Sequence, residues 1–329
     1  MLRFSQKRSA RLWKLVLPLS SVVLCFYILE LVFRVFVYLN LVDYPNVDYA
    51  KIIHRYSHNP GLVYEMKPSF STYDKGVLVM TNRWGIRDRE YSLLKPPGVV
   101  RIAVIGDSVA FGPRLKSEDT FPKLLEVQLN SLQPGRYEVI NFSVIGYNSA
   151  QEEIVLREKV IGTKPDVVIL AFCMNDDTYT DGLGDLARQM HPSSIGSRLH
   201  SKLLSYLLHR WERRHFVSRS SFTQIEHLFE QLSILGRRER FQSVILIFPF
   251  YFDDIHTYPH KEKHRGVGNL ANKYSFPVVD LMERWGALSP SERRRFYPPE
   301  DNIHMTTLGM QETTKELMKR LTTLSSVKN

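Results

Sequence analysis

Cysteine is scarce in this chain, and its scarcity limits how the fold can be held together. Only two of the 329 residues are cysteine, Cys25 and Cys173, and they lie in very different sequence contexts. A disulfide framework of the kind found in small secreted domains is therefore not expected. The chain must gain its stability from a hydrophobic core, which a sequence of this length can bury.

Several patterns that would indicate other functions are also missing. No basic run is interleaved with aromatic residues, so the sequence does not favour a nucleic-acid partner. The glycine pattern of neither the dinucleotide nor the phosphate fingerprint follows the first predicted strand. There is no internal repeat and no low-complexity tract. The composition is that of one large globular domain with additions.

An uncharged apolar block, residues 15–29, predicts a membrane anchor near the N-terminus. Continued through Glu30 to Phe33, it is long enough to cross a bilayer, which takes about 20 residues, and Glu30 then lies near the far interface. No small-x-small motif follows Leu29, as cleavage of a secretory signal would require. A buried core helix is the alternative interpretation.

Basic residues precede this block and predict its orientation. The first fourteen residues hold half of the formal net charge of +10 and no acid. The cations are Arg3, Lys7, Arg8, Arg11 and Lys14. The positive-inside rule then places the N-terminus in the cytoplasm and the chain beyond about residue 41 outside it. We expect a single-pass protein whose N-terminal helix contacts the membrane.

From residue 99 onward, predicted strands alternate with predicted helices. Strands are predicted at 99–105, 137–144, 166–172, 243–250 and 276–281, and helices at 121–129, 151–160, 220–235 and 308–324. Such alternation is typical of a parallel sheet flanked by helices. The predicted fold class is α/β, a three-layer α/β/α sandwich with a flavodoxin-like parallel five-stranded sheet, preceded by one transmembrane helix.

The domain boundaries follow from these segments. We expect a cytoplasmic tail and signal anchor over 1–43, a small extracytoplasmic preamble with a hairpin through 76–80 over 44–98, and the α/β domain over 99–329. An insertion of about 177–219 follows the third strand, where a connection normally takes about 2–6 residues. Apolar residues at helical spacing are mixed there with cations, which fits a helix covering the sheet, a lid or a membrane-facing helix.

Polar residues stand at the predicted carboxyl ends of successive strands, the edge where open α/β sheets bind ligands. They are Ser108, Gly146 and Asn175, followed by Asp301 and His304 before the last helix. Ester cleavage by serine needs a base, a group that orients the base, and donors to the oxyanion. Taken singly, each residue also has a structural explanation as a helix cap or a turn residue. Their occurrence together, in chain order, favours a catalytic role over these separate structural ones.

These segments resemble the four sequence blocks of the SGNH hydrolases, also called the GDSL family. The blocks correspond to Gly106-Asp107-Ser108, Gly146, Asn175 and Asp301-Asn302-Ile303-His304. The resemblance implies catalytic Ser108, Asp301 and His304, an oxyanion hole of Ser108, Gly146 and Asn175, and no metal or organic cofactor. One departure is Cys173, where the third block usually has glycine, and it leaves the local backbone path open.

The resemblance also narrows the function to acyl chemistry. The leading interpretation is a serine esterase acting outside the cytoplasm on an acylated small molecule or a glycan, lipid-linked glycans included. An O-acyltransferase that modifies a polysaccharide is the alternative, because both reactions share an acyl-enzyme. An inactive carbohydrate-binding module is a third interpretation, which the intact serine, histidine and aspartate disfavour.

Overall fold

The computed structural model describes residues 2–39, 41, 52–62, 64–74, 76–176, 201–204, 206–207, 222–324 and 327. The chain divides into two compact units. The first comprises Met1–Val47 and Arg188–Ser218, and the second comprises Asp48–Ala187 and Arg219–Asn329. Most of the predicted insertion lies outside the described residues.

The first unit is built around one long helix, α1, Leu2–Tyr38. Its stretch Pro18–Tyr38 is long and apolar enough to span a membrane or to serve as a signal anchor. Large apolar side chains along this stretch are exposed, among them Leu19, Val22 and Leu31. A core helix would bury one apolar stripe instead, so the burial pattern does not support the core-helix interpretation.

Two antiparallel hairpins open the second unit. Strand β1 (His54–Tyr56) pairs with β2 (Tyr64–Met66), and β3 (Ser71–Asp74) pairs with β4 (Val77–Met80). The second hairpin is the one predicted through 76–80. The first was not predicted, because three-residue strands give too short an alternation to recognise. Buried side chains of this region, Ile53 and Tyr64 among them, belong to the same core cluster as sheet residues such as Val168.

The main sheet confirms the predicted fold class. Five parallel strands are present: β5 (Val100–Gly106), β6 (Tyr137–Asn141), β7 (Val167–Cys173), β8 (Gln242–Phe248) and β9 (Val278–Asp280). Their spatial order is β6-β5-β7-β8-β9, the flavodoxin-like order. Ala103 and Ile105 lie in one core cluster and Ile102 and Val104 in another. Alternate residues of β5 therefore face the two helical layers.

The flanking helices include several that the sequence analysis did not predict. The described helices of the second unit are α2 (Ser108–Phe111), α3 (Phe121–Leu132), α4 (Ser149–Val155), α5 (Phe222–Glu239), α6 (Lys261–Lys273), α7 (Leu281–Trp285), α8 (Pro290–Arg294) and α9 (Thr307–Leu321). The helix predicted at 151–160 begins earlier, and its second half is a π-helical turn over Leu156–Val160. Strand β9 is shorter than predicted because Asp280 caps α7 through the Met282 N–H.

Candidate active site

The turn between β5 and α2 positions Ser108. A Cβ at Gly106 would lie 2.9 Å from the Ala171 carbonyl oxygen, so only glycine lets β5 pack this closely on β7. Asp107 then caps α2 by accepting a hydrogen bond from the Val109 N–H at 2.8 Å. Ser108 is thus the first residue of a short helix at the carboxyl end of the strand, with 7% of its surface exposed.

The loop before α9 brings a histidine and an aspartate to this serine. His304 Nε2 lies 2.9 Å from Ser108 Oγ, and its Nδ1 lies 2.8 Å from Asp301 Oδ2. The other carboxylate oxygen, Asp301 Oδ1, accepts hydrogen bonds from the Ile303 and His304 N–H groups at 2.9 and 3.0 Å. The three side chains form one hydrogen-bonded series in which the imidazole links the hydroxyl to the carboxylate.

The surroundings of Asp301 favour its ionised form. Burial opposes this, but hydrogen bonds from the His304 N–H, the His304 imidazole and the Ile303 N–H hold the pKa of Asp301 below its usual range. An anionic carboxylate at Nδ1 directs the basic Nε2 of a neutral imidazole towards the serine.

Asn175, which follows β7, is joined to Ser108 through Asp107. The Asn175 amide Nδ2 donates to Asp107 Oδ2 at 3.2 Å, and the Ser108 hydroxyl lies 3.3 Å from the same oxygen. Burial raises the pKa of Asp107, against the opposing effects of the Val109 N–H and of His304. Asp107 has no assigned role in the sequence analysis, although an aspartate directly before a short helix is a capping signal.

Gly146 lies on the loop after β6 and has a left-handed backbone, with φ of +77°. The Val144 N–H donates to the Gly106 carbonyl at 3.2 Å, which ties this loop to the end of β5. On the other side, the Tyr64 hydroxyl donates to the Ile145 carbonyl at 2.8 Å. The preamble therefore helps to fix the loop that carries Gly146.

The family comparison agrees with this architecture. The model of the GDSL-like lipase/acylhydrolase family matches residues 104–312, more than half of the chain. The chain belongs to this family. It is a hydrolase acting on ester bonds, and the match confirms the resemblance noted from the sequence blocks.

Three solved structures are among those to which part of this chain is similar. The acetyl xylan esterase AlAXEase is 15% identical, with a TM-score of 0.47 over 67% of this chain and 98% of its own. TesA is 17% identical, with a TM-score of 0.45 over 67% of this chain and 97% of its own. Axe2, an acetylxylan esterase from Geobacillus stearothermophilus, is 16% identical, with a TM-score of 0.44 over 67% of this chain and 93% of its own. No curated protein matches this GDSL hydrolase.

Cys173, the departure from the third block, is accommodated as the last residue of β7. Its N–H donates to Asp176 Oδ2 at 2.6 Å, and the Asp176 N–H donates back to the Cys173 carbonyl at 3.1 Å. Asp176 thereby closes the turn that carries Asn175. Burial raises the pKa of the Cys173 thiol well above its usual range, so the sulfur is a neutral packing group.

Arg114 is a further residue beside the site that the sequence analysis missed. Its guanidinium lies 3.2 Å from Glu300 and 3.5 Å from Asp301 Oδ2, and its backbone has a φ of +67°. No local sequence signal marks it, because both contacts join residues that are more than 180 positions apart. Within the described residues of the hydrolase, no group of three or more His, Cys, Asp or Glu is placed to hold a metal ion.

Proposed function

We propose that this GDSL hydrolase is a serine esterase in which Ser108 is the nucleophile, His304 the general base and Asp301 the group that orients it. The observation that carries this proposal is the continuous hydrogen-bonded series from Asp301 through His304 to Ser108. Each of its two links is within the distance at which a nucleophile and its base act together.

The geometry supports a two-step reaction. Ser108 Oγ attacks the ester carbonyl carbon while His304 Nε2 takes the hydroxyl proton, and the same nitrogen then gives this proton to the departing alkoxide. The acyl group remains on Ser108 until water attacks it, with His304 taking a proton from the water and returning it to Ser108 Oγ as the acyl–oxygen bond breaks and the carboxylic acid leaves. Asp301 stabilises the imidazolium that forms in each step.

Three donors are proposed to stabilise the oxyanion of each tetrahedral intermediate. They are the backbone N–H groups of Ser108 and Gly146 and the side-chain amide of Asn175. The contacts with Asp107 and Gly106 described above support this assignment, since they gather all three segments at the carboxyl end of β5.

The proposed substrate is an acylated glycan or small molecule outside the cytoplasm. Lipid-linked glycans are included, because a membrane protein can reach them.

We expect the full-length protein to release p-nitrophenol from p-nitrophenyl acetate and free acetate from acetylated glycans. A deacetylated glycan added to the first assay distinguishes the alternatives. Acetyl transfer to that glycan at the expense of free acetate would identify an O-acyltransferase, and no turnover of either ester would indicate a binding module.

The proposed organisation is an anchor over 1–43, a preamble over 44–98 and the hydrolase domain over 99–329 with its insertion at 177–219. Buried contacts make the preamble part of the hydrolase unit: Arg87 donates to the Phe111 and Gly112 carbonyls, both at 3.0 Å. These bonds brace the C-terminal end of α2, the helix that begins at Ser108.

The proposed topology places the hydrolase domain outside the cytoplasm, because five cations and no acid lie in the fourteen residues that precede the apolar stretch of α1. A phosphatase reporter fused after Asn329 should be active and a cytoplasm-dependent reporter at the same position inactive. The opposite pair of results would show that the N-terminus is external.

A further inference from the structure

Glu30 is an unusual residue within α1. It lies inside the apolar stretch Pro18–Tyr38, whose other large side chains are mostly exposed, yet only 8% of its own surface is exposed. At 1.5 Å per residue, it lies about 12 Å along the helix axis from Tyr38. If this stretch spans a bilayer, Glu30 lies below the membrane surface, where a carboxylate without partners is costly.

Hydrogen-bond donors from the insertion surround this carboxylate. We call the described residues 201–204 and 206–207 the docking segment, which belongs to the same compact unit as α1. Ser201 Oγ donates to Glu30 at 2.7 Å, and the N–H groups of Lys202 and Leu203 donate at 2.9 and 3.0 Å. Arg34 Nε adds a fourth bond at 2.7 Å from within α1.

The arrangement is a helix cap provided by a different helix. Residues 202–204 and 206–207 are helical, and the N–H groups at the start of a helix have no partner within it. A carboxylate from α1 satisfies two of them, and Ser201 Oγ accepts from the Leu204 N–H at 3.0 Å. One turn further along α1, the ring of Phe33 packs on that of Tyr206, with centroids 5.1 Å apart. Two adjacent turns of α1 thus hold the docking segment.

Within a bilayer, the Glu30 carboxylate and the N–H groups of the docking segment would each need the other as a hydrogen-bond partner. The carboxylate needs donors there, and backbone N–H groups without acceptors are not tolerated in hydrocarbon. The docking segment also has apolar side chains suited to that environment: 51% of the surface of Leu207 is exposed, and Leu203 and Leu204 are partly exposed. Apolar surface that remains exposed on a segment held against a membrane span fits acyl chains.

We propose that the docking segment inserts into the outer leaflet of the bilayer, where Glu30 caps it and its leucines contact lipid. This inference rests on the proposed membrane anchoring. In sequence, the insertion begins directly after the turn that carries Asn175 and Asp176. The docking segment therefore gives the chain a second point of attachment to the bilayer besides α1, at a position that follows Asn175 and Asp176 in the sequence.

The test uses full-length protein with Cys25→Ala, reconstituted in vesicles of phosphatidylcholine and phosphatidylglycerol. Cys173 is buried and does not compete for labelling. An environment-sensitive fluorophore is attached at Leu207→Cys and, as the matched control, at Val127→Cys, an exposed position on α3. Lipids with brominated acyl chains should quench the probe at 207 at least several-fold more strongly than the probe at 127.

Variants of α1 test the role of Glu30. Glu30→Ala should reduce quenching at 207 to the level seen at 127, and Glu30→Gln, which keeps one acceptor oxygen, should reduce it less. Val32→Ala, on the exposed side of α1, should leave quenching unchanged. Equal quenching at 207 and 127 in the otherwise native protein would overturn the inference, as would full quenching in Glu30→Ala. Vesicle flotation is measured in parallel, and a protein that does not float would refute the anchor itself.

Discussion

Ser108→Ala is expected to abolish ester hydrolysis almost completely, with kcat lowered by roughly 10⁴–10⁶. The substitution removes the only atom that the proposed mechanism uses to hold the acyl group, so no acyl-enzyme can form. His304 and Asp301 keep their mutual hydrogen bond, and the change deletes one oxygen at a mostly buried position. The unfolding temperature should therefore change by only a few degrees. Steady-state turnover of p-nitrophenyl acetate and a thermal melt measure the two effects.

A matched serine variant separates the nucleophile from any other buried hydroxyl. Ser243 lies near the amino end of β8, is buried, and its hydroxyl makes no hydrogen bond with the described residues. Ser243→Ala should retain turnover and should still react with a fluorophosphonate probe. Labelling of Ser108→Ala by the same probe would mean that another residue is the nucleophile.

The strands of the main sheet could be predicted because of how they are buried. All seven residues of β5 and of β7 are buried, so β7 is a continuous apolar run in the sequence and β5 is one apart from Arg101. Helix α6 gives no comparable signal. Its sequence, Lys261–Lys273, contains Gly266 and Gly268, which lower helix propensity, and its few apolar residues form only a narrow buried stripe among polar and charged ones.

Residues at strand ends could be predicted by type and position, but their partners could not. Ser108, Asn175 and His304 were placed at one sheet edge by chain topology alone, which requires no knowledge of side-chain contacts. The roles of Asp107 and Arg114 depend on contacts with residues far along the chain. Such contacts follow from the packing of the loops and not from any local pattern.

The burial of the ionisable residue Glu152 likewise could not be predicted from the local sequence. It lies on α4, where an acidic residue in the first turn is an ordinary helix-start signal. In the structure it is fully buried, and no described residue forms a hydrogen bond with its carboxyl group. Burial, with the nearby charge of Asp107, raises the pKa of Glu152 well above its usual range. The sequence suggests a surface acid, whereas tertiary packing buries the carboxyl group and disfavours its charged form.

Asn175→Ala separates a transition-state donor from a turn residue. An amide group carries two donor hydrogens, and the bond to Asp107 orients the group. If the amide also donates to the oxyanion, it stabilises mainly the transition state, when negative charge develops on the carbonyl oxygen. The substitution should then lower kcat by roughly 10²–10³, about 3–4 kcal/mol, as for the loss of one oxyanion-hole donor. KM should change little, because the ground-state carbonyl is a weaker acceptor.

Asn130 provides the matched control, because its amide has a structural role. It donates to the Glu126 and Tyr137 carbonyls, both at 2.9 Å, and its oxygen accepts from the Tyr137 N–H at 3.0 Å. Asn130→Ala should therefore lower the unfolding temperature and leave kcat per folded molecule unchanged. For Asn175→Ala we expect the reverse, a large loss of kcat with a melting temperature only a few degrees lower. If Asn175→Ala instead behaved like Asn130→Ala, Asn175 would be a turn residue, and the oxyanion would depend on the N–H groups of Ser108 and Gly146.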